Sequence, residues 1–170
     1  MNSKTLAEIR LEIRKRHPDT AGEDGEEFAA QWLKRSGWEY VVVEQGKTTL
    51  SAELRNYGGK RPDFLIETSG ETYVTALDAK YHSTDNGKVF RLKDKEIAQY
   101  QSLRRFMEDK SPGRIAEVFF MVFPKEHSGK KLVWVCLSEF ANGIATKLVG
   151  KSATQVSLED RPHLWCEIGA

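Results

Sequence analysis

Three ionisable residues in "RPDFLIETSGETYVTALDAKYH" (61–82) are of types and at spacings that could do chemistry. Asp78 and Lys80 end "YVTAL", a run whose β-branched and aromatic content predicts a strand. A separation of two on a strand turns both side chains to one face. Asp63 opens a second strand-like run, "DFLIET", and Ser69-Gly70 between the runs predicts a hairpin that brings Asp63 beside them. Ionised carboxylates inside a sheet cost several kcal/mol each unless a cation accompanies them. Lys80 supplies one positive charge, and a bound divalent metal would supply the rest. Oxygen-only ligands suit Mg²⁺ or Mn²⁺ better than Zn²⁺. Such a metal polarises a scissile phosphate and lowers the pKa of an attacking water. A lysine beside it orients that water or stabilises the charged transition state. The competing reading is a salt bridge at the end of a strand. A second acidic-x-Lys triplet, Glu108-Asp109-Lys110, falls at the polar end of a predicted helix and reads as solvated surface.

Other motifs carry less. "GKTT" (46–49) resembles the end of a phosphate-binding loop, but Val41 stands where its leading glycine belongs, so that cradle is excluded. His17, His82, His127 and His163 are scattered, without zinc-ligand spacing. His82 follows the lysine strand and reads as a surface residue, with a phosphate contact as the alternative. Trp32, Trp38, Trp134 and Trp165 sit in apolar patterns and read as core. Tyr57, in the glycine-bounded polar loop 46–60, is a candidate substrate contact. Lys88 and Arg91, in the basic stretch from Lys88 to Lys95, are candidates for gripping a phosphate backbone.

The elements that must position these residues follow from periodicity. A helix is expected over 21–36, capped by Asp19 or Thr20, acidic in its first turn and followed by Gly37. "WEYVVVEQ" predicts a strand buried on both faces. After the hairpin comes a polar connection (83–91). A helix over 92–108 follows, with Ile97, Tyr100, Leu103 and Met107 inward, stopped at Pro112-Gly113. "AEVFFMVF" and "KLVWVCL" are two further strands, the first central. A short helix near 139–148 and a late strand at "HLWCEI" close the chain. This order predicts one α/β domain over 1–170 with a mixed sheet, comprising a helical extension (1–19), a core (20–125) and C-terminal strands and helix (126–170).

The bulk properties agree. With 170 residues, 39% apolar and 30% charged, the chain suits a globular domain with a real core. It has no apolar run of membrane-spanning length. Its N-terminus reads as an amphipathic helix, with Leu6, Ile9 and Ile13 on one face, not as a secretory signal. Cys136 and Cys166 lack metal or disulfide spacing, so reduced thiols and a cytoplasmic location without membrane association are expected. A net charge of +1 gives no global pull toward nucleic acid, so binding must come from local patches such as "RKRH" (14–17), the 88–95 stretch and Arg104-Arg105.

The stretch "GEDGEEFAAQWLKRSGWEYV" (22–41), followed by "RPD" and "LDAK", resembles the PD-(D/E)xK nuclease superfamily of restriction-endonuclease-like folds. Gly22, Gly25, Glu26, Ala29, Leu33 and Gly37 match the helix motif of Holliday-junction-resolvase and Mrr-like members in register. The resemblance spans about residues 20–125 in the order αβββαβ. It implies Asp63 and Asp78 as metal ligands, Lys80 as the catalytic lysine, and Glu26 as the helix carboxylate completing the metal shell. Glu23 and Glu27 are rivals whose alternative role is complementing the helix dipole. Some members place a glutamine on the helix after the lysine strand, and "EIAQYQSL" offers Gln99 and Gln101, with Gln99 favoured.

The function so implied is a Mg²⁺- or Mn²⁺-dependent nuclease acting on DNA rather than RNA. Its roles could be repair, mobile-element, defence or toxin. It is a possible homodimer, with a cognate inhibitor if a toxin. The alternative is a non-catalytic nuclease-fold protein that binds nucleic acid or a protein partner.

Overall fold

A computed structural model describes residues 21–43, 50–66 and 72–168. The expected N-terminal helix, the "RKRH" patch, the Asp19/Thr20 cap, the "GKTT" segment and the Ser69-Gly70 turn lie outside the described residues.

The first helix, α1 (Ala21–Ser36), ends as the sequence predicts, on Gly37 at φ +70°. Strand β1 (Val41–Val42) follows, then the short helix α2 (Ala52–Asn56) and β2 (Phe64–Ile66). Next are β3 (Tyr73–His82), β4 (Val89–Lys93), α3 (Asp94–Lys110), β5 (Ile115–Pro124) and β6 (Lys131–Cys136). The chain then forms β7 (Ile144–Leu148), β8 (Lys151–Ser157) and β9 (Trp165–Glu167). Six strands form one mixed sheet in the order β1-β2-β3-β5-β6-β9. Among the described residues, only β3 and β5 run parallel, over ten paired residues from Tyr73↔Ile115 to His82↔Pro124.

The sheet separates two apolar clusters. On one face Ala29 and Leu33 of α1 pack on Leu77, Ala79, Met121, Phe123 and Leu132. On the other, Val74, Ala76, Val118, Phe120 and Val122 meet α3 through Ile97, Tyr100, Leu103 and Met107. The protein is thus a mixed α/β structure with a central mixed sheet flanked by helices. The αβββαβ order of 21–124 is the expected one, with α2 and β4 as additions.

Several expectations are corrected. The triple valine does not form a strand buried on both faces. β1 is two residues long at the sheet edge, and Val41 and Val42 are 56% and 58% exposed. Loop 46–60 contains α2, whose first turn is capped by the Ser51 hydroxyl accepting the Leu54 N–H. The connection 83–91 becomes β4, which pairs with β8 in a second, antiparallel sheet of order β4-β8-β7. Its "VFRLK" alternation buries Phe90 and Leu92 completely while Arg91 faces outward. The expected helix at 139–148 is instead a 3₁₀ turn (Leu137–Asn142) followed by the β7–β8 hairpin. Val149 and Gly150 turn that hairpin, both with positive φ.

Candidate active site

The site forms just before β2 begins, where β3 runs on past it with β5 still paired on its other side but the β2 side open. The pairing Phe64↔Leu77 is the last of that hairpin ladder, so Asp63 stands opposite Asp78. The Asp63 N–H donates to the Leu77 carbonyl (3.0 Å), and its Oδ2 accepts the Ala79 N–H at 2.7 Å. The side chain thereby satisfies a backbone donor that the missing strand would have taken. Asp78 and Lys80 continue the Val74–Ala76 face and are 3% and 7% exposed.

Lys80 Nζ lies 2.7 Å from Asp78 Oδ2 and 2.8 Å from Glu96 Oε1. Glu96 opens the inner face of α3 and also binds Lys60 Nζ at 2.8 Å. The Tyr100 ring lies under both ammonium groups, at 5.0 Å from Lys60 and 5.2 Å from Lys80. The Tyr100 hydroxyl is buried, has no partner of regular hydrogen-bond geometry among the described residues, and feels the Asp78 charge.

Electrostatics divides the acids. Burial and then the Asp78 carboxylate push Asp63 up to about 8, against a partial offset from the Ala79 N–H, and Glu26 adds to the rise. Glu26 is therefore within electrostatic reach of Asp63. Burial raises Glu96 too, but Lys80 and Lys60 together overcome it and hold Glu96 at about 2. For Lys80, burial works against the charge, yet Asp78 and Glu96 win and its pKa is raised. Among the described residues no group of three His, Cys, Asp or Glu side chains is already gathered as a metal shell.

Gly25 explains how Glu26 comes near. A Cβ at Gly25 would sit 3.2 Å from the Tyr81 nitrogen and 3.5 Å from the Ala79 carbonyl carbon. Any larger residue would press on the β3 backbone, so glycine lets α1 lie this closely, and the next residue is then carried to the notch. Glu27 instead bonds Gln31 on the helix surface.

The remaining candidates separate. Gln99 is half-buried, one turn from Glu96, and its carbonyl accepts the Lys60 N–H (3.4 Å), whereas Gln101 is exposed. Tyr57 is not at the notch. Its hydroxyl donates to Asp109, about 20 Å from Glu96 along α3 at ~1.5 Å per residue. Arg91 is held on the outer face of the small sheet by Asp85 (2.6 Å) and Gln155 (3.0 Å), and Lys88 is exposed in the preceding turn. His82 is half-buried rather than a surface residue. Burial, with the Lys80 charge, lowers it to about 4.

Sequence reasoning passed over Glu96 and Lys60. Glu96 reads as an ordinary acidic residue in a helix first turn, and the only signal for it was its position one turn before Tyr100 on the inward face.

A cavity of about 710 Å³ lies elsewhere, on the α1 face of β3 around Tyr73, Thr75 and Leu77. Trp38 and Trp134 line it in a stack with ring centres 5.9 Å apart. Trp38 is 47% exposed, so it is no core residue.

The fold and the site define a mixed α/β protein with an acid–lysine cluster at a notch in its sheet. Among solved structures, it is similar to Hjc, a Holliday junction resolvase from the archaeal hyperthermophile Archaeoglobus fulgidus. The two are 14% identical over 88% of this chain and 93% of that one, at a TM-score of 0.47. No protein-family model matches the sequence, and no curated protein matches it.

Proposed function

We propose that the protein is a metal-dependent nuclease that hydrolyses phosphodiester bonds of DNA. The observation that carries this reading is the facing pair Asp63 and Asp78 with Lys80 sealed against them. Burial first, and then repulsion from Asp78 and Glu26, push Asp63 up to about 8. A set of oxygen donors with that surplus of negative charge fits a divalent cation. Asp63, Asp78 and Glu26 would hold Mg²⁺ or Mn²⁺, which when bound supplies phosphate polarisation and a more acidic attacking water.

The chain's own part is positional. Lys80 is charged at every physiological pH, and Glu96 fixes its direction from α3. An ammonium so held can meet the negative charge that develops on the phosphate without reorganising. The notch lies beside the open edge of β3, which gives a backbone access to these groups.

The test is cleavage of plasmid and single-stranded DNA with Mg²⁺ or Mn²⁺ by wild type, Asp78→Ala and Lys80→Ala. The expected result is cleavage by wild type and a loss of about 10²–10³-fold or more in each variant. Variants that bind and cut like wild type would remove the site assignment. A wild type that binds DNA but cuts neither DNA nor RNA would favour the non-catalytic, binding role.

A further inference from the structure

We infer that Lys60 is a phosphate-binding residue of this site, gripping the nucleic-acid backbone next to the bond that is cut. The inference rests on the nuclease reading above and names a contact that the acid–lysine cluster does not include.

Lys60 and Lys80 use one and the same oxygen. Each ammonium lies 2.8 Å from Glu96 Oε1. The two positive charges are therefore no more than about 6 Å apart, close enough to repel each other. Lys80 has Asp78 as a second partner and is sealed, its side chain 8% exposed. Lys60 has only its share of Glu96 in these contacts, and its side chain is 38% exposed at the mouth of the notch. A lysine placed merely to neutralise Glu96 would duplicate what Lys80 already does.

The backbone beneath Lys60 is fixed. Gly58 turns the chain at φ +71° after α2. Gly59 then lies so close to both helices that a Cβ there would crowd Leu54 Cδ1 of α2 and sit 3.2 Å from the Leu103 nitrogen of α3. The Lys60 N–H donates to the Gln99 carbonyl. Its ammonium is thus aimed at the site before any substrate arrives, which cuts the ordering cost of binding. The Lys60 end of this part-buried pair is open to solvent, where ions screen it. A phosphate, with its full negative charge, can displace a half-shared carboxylate oxygen from Lys60. Glu96 then remains wholly with Lys80.

The experiment measures binding of a fluorescently labelled DNA duplex, in metal-free buffer, as a function of KCl, for wild type, Lys60→Gln and Lys60→Arg. Loss of one phosphate contact lowers the slope of log affinity against log salt by about 0.9. That drop is expected for Lys60→Gln, with the slope restored in Lys60→Arg. A Lys60→Gln slope equal to wild type overturns the Lys60 assignment while leaving the nuclease reading in place. A reduced slope that Lys60→Arg does not restore also overturns it, since the loss then follows from disturbed structure and not from the charge. A wild type that binds no duplex overturns the Lys60 assignment, while the nuclease reading is decided separately by the cleavage assay.

Discussion

Lys80 and Glu96 meet at 2.8 Å between the central sheet and α3, and the contact joins the two halves of the site. β3 contributes the lysine and α3 the acid, so the register of helix on sheet is built into the lysine's direction.

Replacing Glu96 tests that role. Glu96→Gln keeps the shape and removes one of the two negative charges that hold Lys80. The expected outcome is a kcat lower by about 10- to 100-fold, the usual scale for a residue that orients a catalytic group, with KM far less changed. Equal kcat in steady-state assays would show that Lys80 is held by Asp78 alone.

Removing the lysine itself is a stability experiment as well. Lys80→Met leaves Asp78 buried without its partner, which costs about 3–5 kcal/mol. Denaturant unfolding of Lys80→Met, Asp78→Asn and the double variant closes a cycle. The double variant is expected to be more stable than Lys80→Met alone, and additive losses would contradict a direct pairing.

Asp63 gives the opposite sign. Its folded pKa, about 8, stands above the ordinary value of 3.8, so the native state holds the proton more tightly than the unfolded chain. Metal-free protein therefore loses stability from this group as pH rises from about 4 to about 8. Asp63→Asn keeps an acceptor for the Ala79 N–H and removes the charge. At pH 8 without metal it is expected to melt higher by roughly 2–8 °C, for a gain of about 1–2 kcal/mol. The stabilisation of wild type by Mg²⁺ should disappear in this variant. Thermal melts with and without Mg²⁺ check both statements.

Glu96 titrates at the other end of the scale. Held at about 2 against an ordinary value of 4.5, it contributes stability that is fully present above pH 4.5 and is lost as pH falls through about 2. Glu96→Gln should flatten the acid limb of the stability curve and leave the neutral region nearly parallel to wild type.

Gly25→Ala separates activity from stability. Alanine gains about 1 kcal/mol in helix propensity, but its methyl would press on the Tyr81 nitrogen at 3.2 Å, so α1 must lift slightly from β3. The two effects nearly offset in the melting temperature. Glu26 moves with the helix, so cleavage is expected to fall while the melting temperature shifts by no more than a few degrees.

The proximity of Asp63, Asp78 and Lys80 was legible because a strand has a period of two and a short hairpin has a definite register. Gly25 and Glu26 were legible as a motif on α1. Glu96 and Lys60 were not. Their roles depend on how α3 and the 58–60 turn dock onto β3, and no local pattern encodes that docking. The fold shows the same division. α3 and β5 follow from strong periodicity, whereas β4 was hidden because "VFRLK" pairs only with β8, more than sixty residues away in sequence. The valines of β1 carried strand propensity without burial, and propensity alone does not say which edge is left open.

The parallel pairing of β3 with β5 has a kinetic consequence. The crossover between these strands contains β4 and α3, and it delivers Glu96 only after the chain has returned to lie beside β3. Such non-local pairing forms late, because loop closure must precede the contacts that reward it. During synthesis the ribosome releases Asp63, Asp78 and Lys80 well before β5 can dock against them. A nascent chain therefore carries its acids and its lysine without the helix that aims them, and the assembled cluster arrives only with the completed sheet.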